Sequence, residues 1–417
     1  MKRTFSILAI ILGLISQAQA ANLTVHEWGT FTSFMGSNGE LIEGMHHEDE
    51  ALPAFVYGLK KDAPTPQPQP PTPRPRPPQP APCHPHSKVG CETLMSLFAT
   101  HSEFFPEAPI SAGVTQKMET PVIYFYGDQG KKVNVEINFP QGIITQYYPQ
   151  SSYSYPKLAE ARELKDSHFI FDVTLLAANE SNLPLVNSQS IWSPARQVPN
   201  ANAVRTDNGD KEKFIFYRGI GNFPSPLKVS SDLKDVLTLE NVSQSPISMA
   251  IVLNSNGKTG NIAVVNNLTS KTQVAVPSLV NGLDFNLYIQ KTKAVIIDSL
   301  VKNGLYTDEA VAMVNTWQRS YFNTPGIRVL YIVPSEDTES ILPLNVKPAP
   351  NELKRVLVGR VEVMTKNEEA KYLQVIQSNA TINIETNFGR FYEPKLRRLE
   401  QIAPAELKEK IRILYSN

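Results

Sequence analysis

Cysteine is nearly missing from this chain: two in 417 residues, Cys83 and Cys91. A chain of this length can bury a core without cross-links, so no disulfide framework is needed to hold it together. An excess of one charge is missing too, because Lys+Arg 40 and Asp+Glu 40 cancel. That balance leaves no electrostatic footprint for nucleic acid or for an anionic membrane surface. After the N-terminus no stretch approaches 18 uninterrupted apolar residues, so no integral membrane span is expected there. The G-x-S-x-G elbow, H-E-x-x-H, the P-loop and a post-strand G-x-G-x-x-G are all absent, which removes the signatures of several common enzyme classes. Histidine is absent after His168, and six of the seven lie at or before His101. Imidazole chemistry therefore has to be built from the N-terminal half.

What is present begins with Met1-Lys2-Arg3, an apolar run from Phe5 to Ile15, and Ala18-Gln19-Ala20 before Ala21. This is the pattern of a secretory signal peptide over 1–20, and the absence of a cysteine at the cleavage site speaks against lipid anchoring. Cleavage after Ala20 would remove Lys2 and Arg3 and no acid, giving a net charge of −2. The expectation is a periplasmic or secreted protein. Between Pro64 and Pro85 there are twelve prolines in 22 residues, which favours an extended polyproline II segment, an insertion or linker over 64–88. Cys83 and Cys91 close that segment and, in an oxidising compartment, most simply form one small disulfide loop. Cys83, His84 and His86 with Cys91 also have metal-ligand character, but not the tight C-x2-4-C spacing of structural zinc.

Downstream the pattern is of short strands separated by Gly, Pro, Asn and Ser. Pro121–Tyr126 and Lys132–Phe139 read as a hairpin around Gly127–Gly130, and Ile247–Leu253 as another with Ile262–Val265. Near Gln290 helices enter: Lys293–Lys302 stopped by Gly304, then a helix capped by Thr307, and later Lys366–Gln377 and Pro404–Tyr415. The fold class expected is α+β, mainly β, with an antiparallel sandwich-like N-terminal body over 21–287 and a smaller α+β part over 288–417.

For chemistry, His26-Glu27 and His46-His47-Glu48 supply imidazoles and carboxylates, the ligand types zinc or another divalent metal takes in an oxidising compartment. Glu119, leading into an aromatic strand, is the candidate third ligand, and Glu27 or Glu48 the candidate base toward bound water. On a strand His26 and Glu27 would face opposite sides, so the two do not easily share one ligand sphere. Each residue also has a structural reading: His26 as a hydrogen-bonded strand residue, 46–50 as a solvated acidic loop, and Glu119 as one half of an ion pair. Arg218 lies in the glycine-flanked stretch Tyr217–Phe223, read as a loop where it could grip an anion. Tyr147 and Tyr148, with Tyr153 and Tyr155, could offer stacking faces to a ligand.

VHEWGTFTS at 25–33, KMETPVIYFY at 117–126, FIFYRGIGNF at 214–223 and GIRVLYIVP at 326–334 resemble segments of an uncharacterised family of exported bacterial proteins. The resemblance spans most of the mature chain and implies a bacterial envelope or secreted setting. It brings no known activity and transfers no site residue. Two classes of function follow. The first is a non-catalytic protein binding a small ligand or an envelope protein on a β-rich scaffold; the alternative is a zinc-dependent hydrolase.

Overall fold

The computed structural model describes residues 22–47, 51–58, 110–378 and 382–416. The expected signal peptide 1–20, Glu48, the proline-rich stretch 64–88, and Cys83 and Cys91 with their expected disulfide lie outside the described residues. The first strands are β1 Leu23–Met35, β2 Tyr57–Gly58, β3 Gln116–Gly127, β4 Lys132–Phe139, β5 Gly142–Tyr148, β6 Tyr153–Tyr155, β7 Ser167–Leu175, β8 Val204–Thr206 and β9 Lys211–Glu212. They continue as β10 Ile215–Gly221, β11 Leu227–Ser231, β12 Val236–Asn241, β13 Ile247–Ser255, β14 Thr259–Leu268, β15 Lys271–Ala275, β16 Leu283–Asp284, β17 Gly326–Ile332, β18 Leu344–Lys347 and β19 Glu352–Val363.

Ten of these strands form one sheet in the order β16-β14-β13-β17-β19-β1-β3-β10-β5-β2. All neighbours in it run antiparallel except β1 and β19, which are parallel over twelve residue pairs. One face packs against a six-stranded sheet and a three-stranded sheet, through Phe31, Ile123 and Leu357 from the large sheet and Val135, Phe171 and Leu239 from the others. The other face is covered by helices Phe285–Lys302 and Thr307–Trp317, with Trp28, Tyr124 and Leu330 meeting Ile296, Met313 and Trp317. Helices Lys366–Ser378, Tyr392–Ile402 and Ala405–Ser416 close one end over Phe34, Ile143 and Ile220. The architecture is therefore mainly β with a smaller helical C-terminal part, as the strand and helix patterns anticipate.

This layering explains β1. A central strand covered on both faces has no wet side, and His26, Glu27, Thr30 and Thr32 are as buried as Val25 and Trp28. The simple alternation of a half-exposed strand is accordingly lost.

Three local expectations change. β3 and β4 do not form a hairpin: β3 pairs β1 and β10, while β4 pairs β7 and β18. The turn after Gly127 moves the chain from one sheet to the other, because both edges of β3 are already taken. The stretch around Arg218 is strand, not loop. Gly219 sits where the register shifts, and a Cβ there would lie 2.1 Å from the Ile143 carbonyl oxygen, so its glycine marks a close backbone approach within the sheet. Finally, β17 and β19 lie between β13 and β1, so the 287/288 division runs through a single sheet.

Gly219→Ala should lower stability by about 1–3 kcal/mol through overpacking at β5. Urea unfolding checks this, and an unchanged midpoint would mean that the close approach does not constrain this position.

Candidate functional site

Charged side chains are concentrated inside the sheet, and the strand register pairs them. Glu27 of β1 is opposite Arg355 of β19, and Arg355 Nε donates to Glu27 Oε2 at 2.6 Å while Tyr217 donates its hydroxyl to Oε1. Arg328 of β17 is opposite Glu362 of β19, with 2.8 Å between Nε and Oε1, and Arg360 Nη2 reaches the same oxygen at 2.6 Å. Glu119 of β3 accepts from Thr32 and Tyr321 hydroxyls at 2.6 Å each and from Arg390 Nη2 at 2.7 Å, with Lys117 Nζ at 3.6 Å.

Burial alone would raise these carboxyls. At Glu119 the charges of Arg390, Lys117 and Arg360 outweigh it and hold the group well below the ordinary value. At Glu362 burial is likewise outweighed by Arg328 and Arg360, which bring it down to about 2. Carboxyls held this low are weak bases, which disfavours either as a proton acceptor near neutral pH.

The network borders an open cavity of about 810 Å³. Its walls come from 51–54 and 185–191, including Leu52, Val186 and Ile191, and from Arg319, Ser320, Thr324 and Arg390. Arg319 and Ser320 stand on a π-helical turn, Gln318–Phe322, that continues helix Thr307–Trp317. Such a turn leaves carbonyls without regular partners, and buried arginines take them. Arg328 Nη1 donates to Tyr321 and Thr324 carbonyls at 2.7 and 2.8 Å, and Arg360 Nη2 to that of Ser320 at 3.3 Å. Among the described residues no carboxylate pairs with Arg319.

A second cluster lies on the other side of Lys117, whose Nζ donates to the His47 carbonyl at 2.7 Å. His46 and His47 bring their Nε2 atoms to 3.5 and 2.5 Å from Glu393 Oε2, and Arg397 Nε donates to Oε1 at 2.8 Å. Burial of Glu393 is outweighed by the His47 hydrogen bond, His46 and Arg397, so its carboxyl also lies below the ordinary value.

Of the residues singled out in the sequence, His46 and His47 thus come together, but His26 and Glu119 do not join them. His26 Nδ1 bonds Glu309 Oε2 at 2.8 Å, Tyr126 donates to Oε1 at 2.6 Å, and the Tyr306 ring lies 4.4 Å from His26, tilted by 42°. Thr32, which holds Glu119, is six residues along β1 from His26, roughly 20 Å at ~3.3 Å per residue, so one ion cannot reach both. Glu27 is locked between Arg355 and Tyr217. Arg218 is buried with Nε on Gln146 rather than free in a loop. Tyr147 and Tyr148, adjacent on β5, turn to opposite faces: Tyr147 meets Phe169 and Tyr148 meets Phe55 and Trp192. Glu393, Arg319 and Arg390 were not anticipated. Glu393 and Arg390 lie far along the chain from their partners, and nothing local marks them, whereas Arg328 and Glu362 stand out as charges inside apolar strand patterns.

No protein-family model matches the chain, and no curated protein matches it. Among solved structures, one titled the Fcho1 Mu homology domain of Danio rerio with bound Eps15 peptide aligns over 83% of this chain and 98% of that one, with 8% identity and a TM-score of 0.29. Likeness at that level carries no argument about fold or function. Among the described residues no helix is long and apolar enough to cross a membrane.

A carboxyl held low in the folded chain stabilises it fully above its unfolded value, near 4.5, and less as pH falls toward the folded one. Glu362→Gln should therefore cost about 3–5 kcal/mol at pH 7, by leaving Arg328 and Arg360 buried without their counter-ion. The gap to the parent should narrow as pH falls from 4.5 toward 2. Urea melts across that range test it, and a gap independent of pH would contradict the assignment.

Proposed function

We propose that the chain is an exported, non-catalytic binding protein that takes a small organic anion into the cavity beneath the π-helical turn. The observation that carries this reading is Arg319, an exposed, cavity-lining guanidinium with no carboxylate partner among the described residues. Around it the chemistry is mixed in a useful way. Arg319 offers guanidinium donors for a carboxylate or phosphate, with the Ser320 side chain and the Glu119-bound Arg390 beside it, while 51–54 with Leu185, Val186 and Ile191 contribute apolar surface for the body of the ligand. A volume of about 810 Å³ is within the range of small-molecule sites.

Rigidity supports the same reading. The backbone of the turn that carries Arg319 is held by Arg328 and Arg360, so the base from which that guanidinium projects is fixed. Glu119 and Glu362, the carboxylates of the adjoining network, are bound into ion pairs with their pKa held low, which makes them weak bases and favours binding over acid–base catalysis. The exported setting rests on the N-terminal leader pattern and on the resemblance described above.

Isothermal titration with a panel of small mono- and dicarboxylates and phosphate monoesters should find a binder. Arg319→Ala should weaken it by about tenfold or more, the loss of a charged hydrogen bond worth ~1.5–3 kcal/mol. The urea midpoint should not move, since Arg319 supports no described ion pair. Absence of binding across the panel, or full affinity in the variant, would sink the proposal.

A further inference from the structure

We propose that His46, His47 and Glu393 form a site for one divalent transition metal, zinc by ligand type, with two imidazole nitrogens and one carboxylate oxygen as protein ligands. The site is separate from the anion cavity, and Arg319 takes no part in it.

The two segments that meet here are 346 residues apart in sequence between His47 and Glu393, and the contact is built closely. Gly44 has φ 104°, and a Cβ on it would lie 3.0 Å from Glu393 Cγ and 3.1 Å from Pro394 Cδ, so glycine lets the turn close on the first turn of helix Tyr392–Ile402. The Gly44 and Met45 amides both donate to the Val114 carbonyl, at 3.0 and 3.2 Å, and fix that turn to the body. Consecutive residues then leave it with their rings 4.1 Å apart, tilted by 35°, and both Nε2 atoms directed at one oxygen.

An ordinary ion pair would need one imidazole; here two converge on Glu393 Oε2. The candidate ligand atoms all lie within 4.8 Å of one another, among the described residues the one set of three His, Cys, Asp or Glu side chains to do so. Metal bonds of about 2.0–2.2 Å arranged tetrahedrally put ligand atoms roughly 3.3–3.6 Å apart. The His46 separation of 3.5 Å already fits, and the His47 separation of 2.5 Å has to open by about an ångström. Metal binding needs imidazole nitrogens and a carboxylate oxygen free of protons, so loading weakens as pH falls.

The surroundings fit an oriented carboxylate. Arg397 Nε binds Oε1 at 2.8 Å and leaves Oε2 for the ion, the role that outer hydrogen-bond partners play at metal centres. Arg397 and Lys117 are nearby positive charges that oppose a cation, and Glu43 Oε2, 3.9 Å from Arg397 Nη1, offsets the first of them. His46 is 4% exposed while the side chain of His47 retains 25%, so the site has a protected side and an entry side. Three protein ligands leave at least one position for water or an added ligand.

The test is zinc titration of the metal-stripped full chain against a chromophoric chelator. One equivalent should bind, and Glu393→Gln and His46→Gln should each weaken it by about 100-fold or more. His168→Gln, which breaks a surface pair with Glu136, should leave the affinity unchanged. X-ray absorption of the zinc-loaded parent should show two imidazoles and an oxygen ligand, and this decides the matter if either variant fails to fold. No stoichiometric uptake by the parent, or parental affinity kept in both variants, would overturn the proposal, the latter by assigning the ion to other histidines.

Discussion

Charge buried inside a sheet that is covered on both faces is the constraint on which the rest of this structure depends. β1, β3, β17 and β19 carry Glu27, Glu119, Arg328, Arg360 and Glu362 into layers where water cannot solvate them. Leaving any one unpaired costs several kcal/mol, whereas a completed pair is close to neutral in net stability. The main return is therefore register. Arg355 faces Glu27 and Arg328 faces Glu362 as direct strand neighbours, and a slip of one residue would break both contacts and turn every side chain to the wrong face. The parallel pairing of β1 with β19, the exception in an antiparallel sheet, is held by such contacts as well as by its ladder.

The same ionic layer supports what lies above it. Arg328 and Arg360 satisfy carbonyls of the π-helical turn, and through it the cavity wall is tied to the strands. Arg390 bridges from Glu119 to the cavity, and Lys117 bridges from Glu119 toward the His47 backbone. The anion cavity and the metal site proposed here are thus two separate openings on one rigid polar seam.

Much of the fold was legible, and the reasons are local. The hairpin of β13 with β14 follows from an Asn/Gly turn between apolar runs, and the helices near 300 from their apolar stripe and their stop at Gly304. The sheet switch after Gly127 was not legible, because a turn sequence specifies a reversal but not which partner the next strand takes. The glycines near Arg218 looked like a loop for a related reason: a close approach between strands and an exposed turn ask for the same residue. At the site, the histidine count directed attention to the segment that holds His46 and His47. Their carboxylate partner came from a helix 346 residues away, a distance at which single-sequence spacing carries no information. His26 and Glu119, which looked equivalent to them by residue type, are held apart by the length of one extended strand.

The pairing of β1 with β19 also orders events in time. The strand nearest the N-terminus finds its parallel neighbour only after more than 300 further residues have been made, so local contacts cannot complete the central sheet. High contact order of this kind slows folding and leaves apolar edges open in the interval. The segment holding His26, Glu27 and Thr32 is among the first of the described residues to be synthesised, and it is among the last whose charges find their partners.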